Sequence, residues 1–192
     1  MEIKKVGVVG CGLMGSGITQ VSAQSGYETW VKEVDDDRLK EGIGKIEKLL
    51  STEVERGRLT ENQMTEMLDR INGTMKLEDL RACDIVIETV AEEIALKKQI
   101  FSELDKVIGR AAILASNTSS ISIAELASVT KRPDKVIGLR FFDPVPVTKL
   151  VEVVRTPTAS DEVISTGVSF AESLGKQPVV VKDSSGFAEG GN

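Results

Sequence analysis

Apolar residues along the chain follow two different spacings. Seven short runs are rich in apolar and β-branched residues, which is typical of strands in a parallel sheet covered on both faces. They occupy residues 5–9, 28–33, 84–88, 112–115, 136–139, 150–154 and 178–181. Between them, residues 36–55, 94–108 and 160–174 carry apolar side chains at the three-and-four spacing of amphipathic helices. We therefore predict an α/β fold with a doubly wound, mainly parallel sheet, whose ligands collect beyond the C-terminal ends of the strands.

The first long helical segment is followed directly by a second one. Six apolar positions lie on one face of the first: Leu39, Ile43, Ile46, Leu49, Leu50 and Val54. Thr60 and Gln63 then have the spacing of a capping box that opens a second helix through Leu68. We expect a helical hairpin that projects from the sheet. Two roles stay open for it, because it could flank a substrate or only cover the sheet.

A glycine-rich turn separates the first strand from the helix after it. Gly10, Gly12 and Gly15 form the pattern GxGxxG, with Leu13 and Met14 between them. The first glycine allows a tight turn, the second lets the backbone approach a pyrophosphate, and the third lets the helix pack closely on the sheet. The helix N-terminus then offers free N–H groups and a partial positive charge to phosphates. We predict a dinucleotide-binding domain of the Rossmann type in which these five residues contact the cofactor.

The end of the second strand indicates which dinucleotide binds. Glu33 follows the glycine pattern at the expected distance, and its carboxylate can accept hydrogen bonds from a ribose diol but would repel a 2′-phosphate. This favours NAD over NADP as the cofactor. Alternatively, Glu33 only solvates the strand end, and one of the three aspartates at residues 35–37 caps the next helix. Nearby Lys32 and Arg38 are the groups that could receive a phosphate instead.

Composition limits the partners. The chain has 192 residues, of which 41% are hydrophobic, and its net charge is −6. This is enough for one large domain with a buried core, and the acidic balance argues against nucleic acid or an anionic membrane as a partner. No apolar stretch approaches the roughly 18 residues that span a bilayer, and the first strand begins without a signal peptide. We expect a cytoplasmic protein whose partner is a small molecule.

The titratable side chains exclude several kinds of chemistry. The chain contains no histidine, which is the usual general base near neutral pH and the commonest metal ligand. Its two cysteines, Cys11 and Cys83, lack metal-ligand spacing, and we expect both to be reduced structural thiols. No metal site is predicted, and any mechanism has to work without histidine.

A polar segment, residues 116–120, directly follows a buried strand. It contains Asn117 and Ser119 among several hydroxyl side chains, at the sheet edge where ligands are expected. These groups could bind a nicotinamide or a substrate oxygen. The simpler explanation is that they cap the following helix, since Ser and Thr are favoured at that position.

Four segments together resemble one protein family closely. They read ASNTSS at residues 115–120, KRPDKVIG at residues 131–138, GLRFFDPVPVTKLVEVV at residues 138–154 and KDSSGF at residues 182–187. With the glycine turn, these segments resemble the L-3-hydroxyacyl-CoA dehydrogenases, including the bacterial 3-hydroxybutyryl-CoA dehydrogenases, over nearly the whole chain. The resemblance implies NAD-dependent oxidation of a 3-hydroxyacyl-CoA to the 3-oxoacyl-CoA, or the reverse, with an acyl-CoA as the partner.

The resemblance also implies roles for particular residues. In the family, a histidine removes the hydroxyl proton and a glutamate orients that histidine; Glu152 matches the glutamate. Ser119 matches a serine near the substrate oxygen and the nicotinamide, while Glu92 and Lys97 match polar residues on the cofactor side. Glu33 matches the ribose position, where most relatives have aspartate.

Two positions depart from the family at the centre of its mechanism. Arg140 stands where the catalytic histidine is expected, and Asp143 stands where an asparagine lies near the nicotinamide. Arginine stays protonated at neutral pH, so it can donate hydrogen bonds to an oxyanion but cannot collect the hydroxyl proton. We favour an ion pair of Arg140 with Glu152 or Asp143 around a silent site over a new catalytic role. The rival functions are a catalytically dead protein that binds NAD or acyl-CoA, and a related NAD dehydrogenase of small hydroxyacids.

The end of the chain departs from the family as well. Relatives continue through a Pro-Gly-Phe turn into a helical domain that makes most of the contact in their homodimer, and here Ser185 replaces the proline. We expect one NAD-binding domain over residues 1–186 and a short tail over residues 187–192, either as an excised domain or as a truncated product. The homodimer of the family is then expected to be lost.

Overall fold

A computed structural model describes residues 1–183. Its eight-stranded sheet has the order β3-β2-β1-β4-β5-β6-β7-β8, and neighbouring strands are parallel except for the antiparallel pair β6 and β7. The strands are β1 (Lys5–Val9), β2 (Glu28–Lys32), β3 (Ile71–Thr74), β4 (Ile85–Glu88), β5 (Ile113–Ser116), β6 (Val136–Phe141), β7 (Leu150–Arg155) and β8 (Gln177–Lys182). The predicted doubly wound, mainly parallel sheet is confirmed.

The helices lie between these strands. They are α1 (Leu13–Gln24), α2 (Asp36–Glu55), α3 (Glu61–Leu68), α4 (Ile94–Val107), α5 (Ile123–Ala127) and α6 (Asp161–Ser173), with short 3₁₀ helices at Leu77–Ala82 and Pro133–Lys135. The strand β3 is an element that the apolar pattern does not predict, because its four residues include Asn72 and Gly73 and only one buried side chain. Pairing with β2 along its whole length nevertheless makes it the edge of the sheet.

The chain order of the strands reverses beside β1. This strand pairs with β2 on one side and with β4 on the other, so a crevice opens between the C-terminal ends of β1 and β4, where doubly wound domains bind their ligands. Both faces of the central strands are covered. Val8 and Ile87 belong with Ile18 of α1 to one core, whereas Val86 belongs with Phe101 of α4 to the other.

The helical hairpin docks on the sheet through its first helix. Gly42 of α2 lies against Cys11 of the glycine-rich turn, while Leu39 and Ile43 pack on Gly73 of the edge strand β3. The helix α3 begins with the predicted capping box and all its residues are exposed or half-buried. The first helix therefore covers the sheet edge and also touches the glycine-rich turn.

A buried lysine and a half-buried aspartate hold neighbouring segments in place. The ammonium group of Lys176 donates hydrogen bonds to the carbonyl oxygens of Val145 and Thr148, at 2.8 Å for Thr148, and so ties down the loop between β6 and β7. Burial, with a smaller contribution from Lys149, lowers the pKa of Lys176 below its usual value. The carboxylate of Asp183 accepts hydrogen bonds from the first turn of α5, which include Ala124 N at 2.8 Å.

The sequence predicts a domain boundary near the end of the chain and the absence of membrane-spanning segments. The predicted boundary at residue 186 and the tail at residues 187–192 lie outside residues 1–183. Among the helices within that range, none combines the length and the apolar character needed to cross a bilayer.

The contact between Gly42 and Cys11 gives a test of how the hairpin docks. A Cβ at position 42 would overlap the carbonyl and the side chain of Cys11, whereas a Cβ at Gly44, on the same helix, has no neighbour within 4 Å in the described region. We expect Gly42→Ala to lower the free energy of unfolding by about 1–3 kcal/mol through overpacking. Gly44→Ala should raise it by about 0.5–1 kcal/mol, because alanine favours helix.

Urea denaturation followed by circular dichroism measures both changes. Equal stabilisation by the two substitutions would show that α2 does not rest on the glycine-rich turn.

Candidate functional site

The glycine-rich turn leaves β1 with a sharp change of direction. Gly10 has a φ of +96°, and a Cβ there would lie 2.9 Å from Thr89 Oγ1. A Cβ at Gly15 would overlap the carbonyl of Gly10, so this residue lets α1 approach the strand. Gly12 differs, because a Cβ there has no neighbour within 4 Å among residues 1–183. The open space therefore lies above Gly12, which is the N-cap of α1.

The N-terminus of α1 suits an anion. The first N–H groups of a helix have no partner within the helix, and no side chain in the described region caps this one. Met14 and Leu13 form the first turn, which carries no acidic residue to compete with a bound phosphate. Unpaired N–H groups and the helix dipole together make such a terminus a site for a pyrophosphate.

The carboxylate of Glu33 lies beside this turn. It accepts hydrogen bonds from Cys11 N at 2.6 Å and from its own neighbour Val34 N at 2.9 Å. Two carboxylate oxygens have about four acceptor positions, so room remains for a ribose diol. The next helix is capped by Asp35, whose side chain accepts from Arg38 N at 2.8 Å and also pairs with the Arg38 guanidinium at 3.5 Å. Helix capping is therefore done by Asp35, and ribose binding by Glu33 stays a prediction.

The two thiols are buried and remain protonated near neutral pH. Burial, followed by the negative charge of Glu33, raises the pKa of Cys11 to about 12. Burial, followed by the charge of Asp84, likewise raises the pKa of Cys83 to about 12. Both act as apolar packing groups, and Cys11 supports the contact between the turn and Gly42.

A cleft of about 320 Å³ opens at the C-terminal ends of β4 and β5. Five of the predicted site residues line it: Met14, Glu92, Lys97, Asn117 and Ser119. Thr89, Val90 and Thr118 complete the lining. The side chain of Asn117 is held by a hydrogen bond that its Oδ1 accepts from Phe141 N at 2.8 Å. Elements far apart in sequence thus converge at the edge where a doubly wound sheet binds ligands.

A buried ion pair that the sequence interpretation missed holds this cleft together. Lys97 Nζ donates to Glu88 Oε1 at 2.6 Å and to the carbonyl of Val90 at 3.1 Å. The other carboxylate oxygen of Glu88 accepts from Ser116 Oγ at 2.7 Å, and neither Glu88 nor Lys97 is exposed by more than 1%. The available signal was a glutamate at the end of an otherwise apolar strand, since a buried charge needs a partner.

Glu92 is the exposed acid of the cleft. Its carboxylate accepts hydrogen bonds from the hydroxyls of Thr118 and Ser120, at 2.8 Å for Ser120, and lies 3.5 Å from Lys97 Nζ. The expectation that the hydroxyls of residues 116–120 cap the next helix is wrong. That helix begins at Ile123 with Ser122 as its N-cap, whereas the earlier hydroxyls bind the carboxylates of Glu88 and Glu92.

Arg140 and Glu152 are directly opposite each other on the antiparallel strands β6 and β7. Arg140 Nη1 lies 2.7 Å from Glu152 Oε2, and Arg140 Nε donates to the carbonyl of Thr118 at 3.0 Å. Both side chains are about three-quarters buried, being 22% and 25% exposed. Of the two ion pairs considered for Arg140, the structure contains the one with Glu152. Arg140 therefore adjoins the cleft through Thr118 and carries a fixed positive charge.

A second groove, of about 350 Å³, lies on the other side of the start of α1. Its walls are mostly apolar and include Leu13, Gly17 and the loop from Asp143 to Pro146, while Lys45 and Lys48 of α2 border it. Gln20 also lines it, and among the described residues no group bonds the buried Gln20 Oε1. Two predicted site residues, Leu13 and Asp143, thus face this groove, and the hairpin both covers the sheet and flanks a groove.

Comparison with known proteins agrees with this geometry. The family model described as "3-hydroxyacyl-CoA dehydrogenase, NAD binding domain" matches residues 5–184. A 3-hydroxybutyryl-CoA dehydrogenase from Bradyrhizobium diazoefficiens is 44% identical over 96% of this chain and 63% of its own length. A probable 3-hydroxybutyryl-CoA dehydrogenase from Bacillus subtilis is 42% identical over 97% of this chain and 65% of its own length.

A solved structure extends the comparison. The crystal structure of FadB2 from M. tuberculosis superimposes with a TM-score of 0.95 and 44% identity, covering 98% of this chain and 67% of that one. The chain spans less than two thirds of the length of the two curated bacterial relatives.

The open space above Gly12 yields a direct test of the cofactor site. We expect Gly12→Val to abolish NADH binding while the protein stays folded, because the new side chain would fill the path of the pyrophosphate and its Cβ has no neighbour within 4 Å among the described residues. Gly15→Val is the contrasting variant, since its side chain would overlap the carbonyl of Gly10 and should destabilise the fold itself.

Titration calorimetry with NADH, beside circular dichroism, separates the two effects. Unchanged NADH affinity in a natively folded Gly12→Val variant would mean that the turn has only a structural role.

Proposed function

The chain belongs to the 3-hydroxyacyl-CoA dehydrogenase family, in which it corresponds to the NAD-binding domain, and on this premise we propose that it binds NAD(H) and an acyl-CoA thioester side by side. Hydride would pass between the nicotinamide and carbon 3 of the thioester. The observation that carries this proposal is the position of the start of α1. Met14 lines the cleft and Leu13 lines the groove, so the two ligands would meet at this turn.

The cofactor half of the site fits NAD(H). The open space above Gly12 leaves the N-terminus of α1 for the pyrophosphate, and Glu33 has acceptor positions left for a ribose diol. Because Glu33 lies on the β2 side of the crevice, a dinucleotide that crosses the crevice would reach the ends of β4 and β5 with its nicotinamide half. Asn117 and Ser119 would hold that half in the cleft. When bound, NAD(H) supplies the hydride donor or acceptor.

The groove fits the long arm of an acyl-CoA. Its apolar walls suit an acyl or pantetheine chain. The ammonium groups of Lys45 and Lys48 border the groove and could receive phosphates of the ligand. The curated relatives named above are described as dehydrogenases of 3-hydroxybutyryl-CoA, which agrees with this ligand class.

Arg140 changes what this site can do. Oxidation of an alcohol releases a proton together with the hydride, and a guanidinium cannot accept that proton at neutral pH. The carboxylate of Glu152 is occupied by Arg140 itself. In the opposite direction, Arg140 could donate a hydrogen bond to the oxygen of a 3-oxo group while water supplies the proton. We propose that any turnover by this chain runs in the direction of reduction.

A second candidate function is supported by the same ion pair. If Arg140 only neutralises Glu152 and braces the carbonyl of Thr118, the chain binds NAD(H) or acyl-CoA without reacting them. The retained glycine turn and cleft would then serve recognition alone.

Cofactor choice gives the first test of these assignments. We expect NADH to bind more tightly than NADPH, because the Glu33 carboxylate would repel a 2′-phosphate. Glu33→Gln should reduce the preference for NADH over NADPH, since the amide oxygen can still accept the hydrogen bond from Cys11 N but the side chain carries no charge. Asp37→Asn is the matched control, as it removes one charge from an exposed position of α2.

Titration calorimetry with both nucleotides measures the ratio of dissociation constants. An unchanged ratio in Glu33→Gln would exclude Glu33 from the ribose position.

Catalysis gives the second test. With acetoacetyl-CoA and NADH, we expect this 192-residue chain to turn over far below the ~10 s⁻¹ typical of enzymes, because loss of a positioned general base costs about 10²–10⁴-fold. Arg140→His alone should restore little, since Asp143 also departs from the family. The loss of NADH absorbance follows the reaction, and calorimetry confirms that NADH binds in the same sample. Rates near the usual enzymatic value would eliminate the silent-binder alternative and assign a catalytic role to Arg140.

A further inference from the structure

The cleft carries an unbalanced negative charge. Three ionisable side chains meet there, and Lys97 is committed to Glu88, which it contacts at 2.6 Å, rather than to Glu92 at 3.5 Å. Two nearby ion pairs add no net charge, because Arg140 is bound to Glu152 at 2.7 Å and Lys98 to Glu125 at 2.9 Å. The sum over Glu88, Glu92 and Lys97 is one negative charge. Glu92, whose side chain is 41% exposed, is where that charge meets the cleft.

The charge on Glu92 is stable near neutral pH and fixed in place. Burial opposes ionisation, but hydrogen bonds from Thr118 and Ser120, with the charge of Lys97, outweigh it and lower the pKa of Glu92 below its usual value. The hydroxyl and N–H groups of Ser120 both donate to the same carboxylate oxygen. A carboxylate held in this way presents its charge to the cleft without reorganisation.

The two oxidation states of a nicotinamide cofactor differ in charge at one place. The oxidised ring carries a positive charge, the reduced ring is neutral, and the riboses and phosphates are the same in both. We propose that Glu92 makes this cleft sensitive to the oxidation state of the cofactor, so that the oxidised form gains affinity relative to the reduced form. This inference rests on the proposed function, because it requires the nicotinamide half to lie in the cleft.

The proposal has a chemical consequence for the bound pair. The carboxylate would stabilise the bound oxidised cofactor more than the bound reduced cofactor. By thermodynamic linkage, the bound reduced form would then be a stronger hydride donor than it is in a site without the carboxylate. This is the direction in which Arg140 can assist, since a guanidinium can polarise a 3-oxo group but cannot collect a proton. Glu92 and Arg140 would therefore favour the same direction of reaction.

Removing the charge of Glu92 tests the idea. A unit charge a few ångströms from the ring, in a partly solvated cleft, should change relative affinity by roughly three- to tenfold. Titration calorimetry at low ionic strength would give dissociation constants for NAD⁺ and NADH with the full chain and with Glu92→Gln. We expect the substitution to raise the ratio of the NAD⁺ to the NADH dissociation constant by that factor, mainly because NAD⁺ binds more weakly.

Two further variants distinguish charge from structure. Glu93→Gln removes the same charge from the exposed residue next to Glu92 and should leave the ratio unchanged. Glu92→Asp keeps the charge and should keep the ratio of the NAD⁺ and NADH dissociation constants close to that of the unmodified chain, even if both affinities fall. Salt dependence adds a second measurement: as salt screens the carboxylate, the ratio of the NAD⁺ to the NADH dissociation constant should rise in the unmodified chain, and it should rise less in Glu92→Gln.

The outcomes separate this inference from the proposed function. Unchanged ratios in Glu92→Gln and across the salt series, with both nucleotides still bound, would overturn the role of Glu92 and leave the cofactor site intact. Failure of the unmodified chain to bind either nucleotide would overturn the cofactor site and this inference together. A shift of the ratio in Glu92→Gln that Glu93→Gln does not reproduce would support it.

Discussion

One carboxylate without exposure to solvent holds the ligand-binding edge of this protein together. Glu88 ends β4, and its two oxygens bind Lys97 of α4, Ser116 of β5 and the backbone N–H of Val90. A single anion therefore connects four elements, which are β4, β5, α4 and the loop between β4 and α4. Removing one partner of a buried ion pair typically costs about 3–5 kcal/mol, because the other charge is left uncompensated. Two of the residues that Glu88 binds, Val90 and Lys97, line the cleft together with Glu92, Asn117 and Ser119.

Binding and chemistry depend on different parts of this edge. The features suited to a dinucleotide are backbone features: the sharp turn at Gly10, the close approach at Gly15 and the free end of α1. The proposed reacting centre depends instead on one side chain, Arg140. The antiparallel register places that side chain opposite Glu152, so whichever residue stands there meets a carboxylate. With arginine the two side chains form an ion pair, and a guanidinium cannot take up a proton at neutral pH.

The sequence predicted local features well and missed those that arise between distant elements. The strand runs, the helix lengths and the capping box at Thr60 follow from spacing within one segment, and the structure confirms them. The strand β3 escaped notice because its four residues have little apolar character and depend on pairing with β2. The capping role expected for residues 116–120 was wrong because carboxylates from β4 and the loop after it capture those hydroxyls. Likewise, the groove beside Gln20 depends on three segments meeting, which no local pattern encodes.

The contact of Gly42 with Cys11 has a consequence for how two ligands would influence each other. One turn of α2 rests on the residue whose N–H binds Glu33, and the next turn presents Lys45 to the groove. A small displacement of this helix would be felt at both places, because packed interiors transmit strain. Whatever factor one ligand imposes on the affinity of the other must then apply equally in reverse, since coupling free energy has no direction. The hairpin would thus couple the two sites through the contact of Gly42 with Cys11.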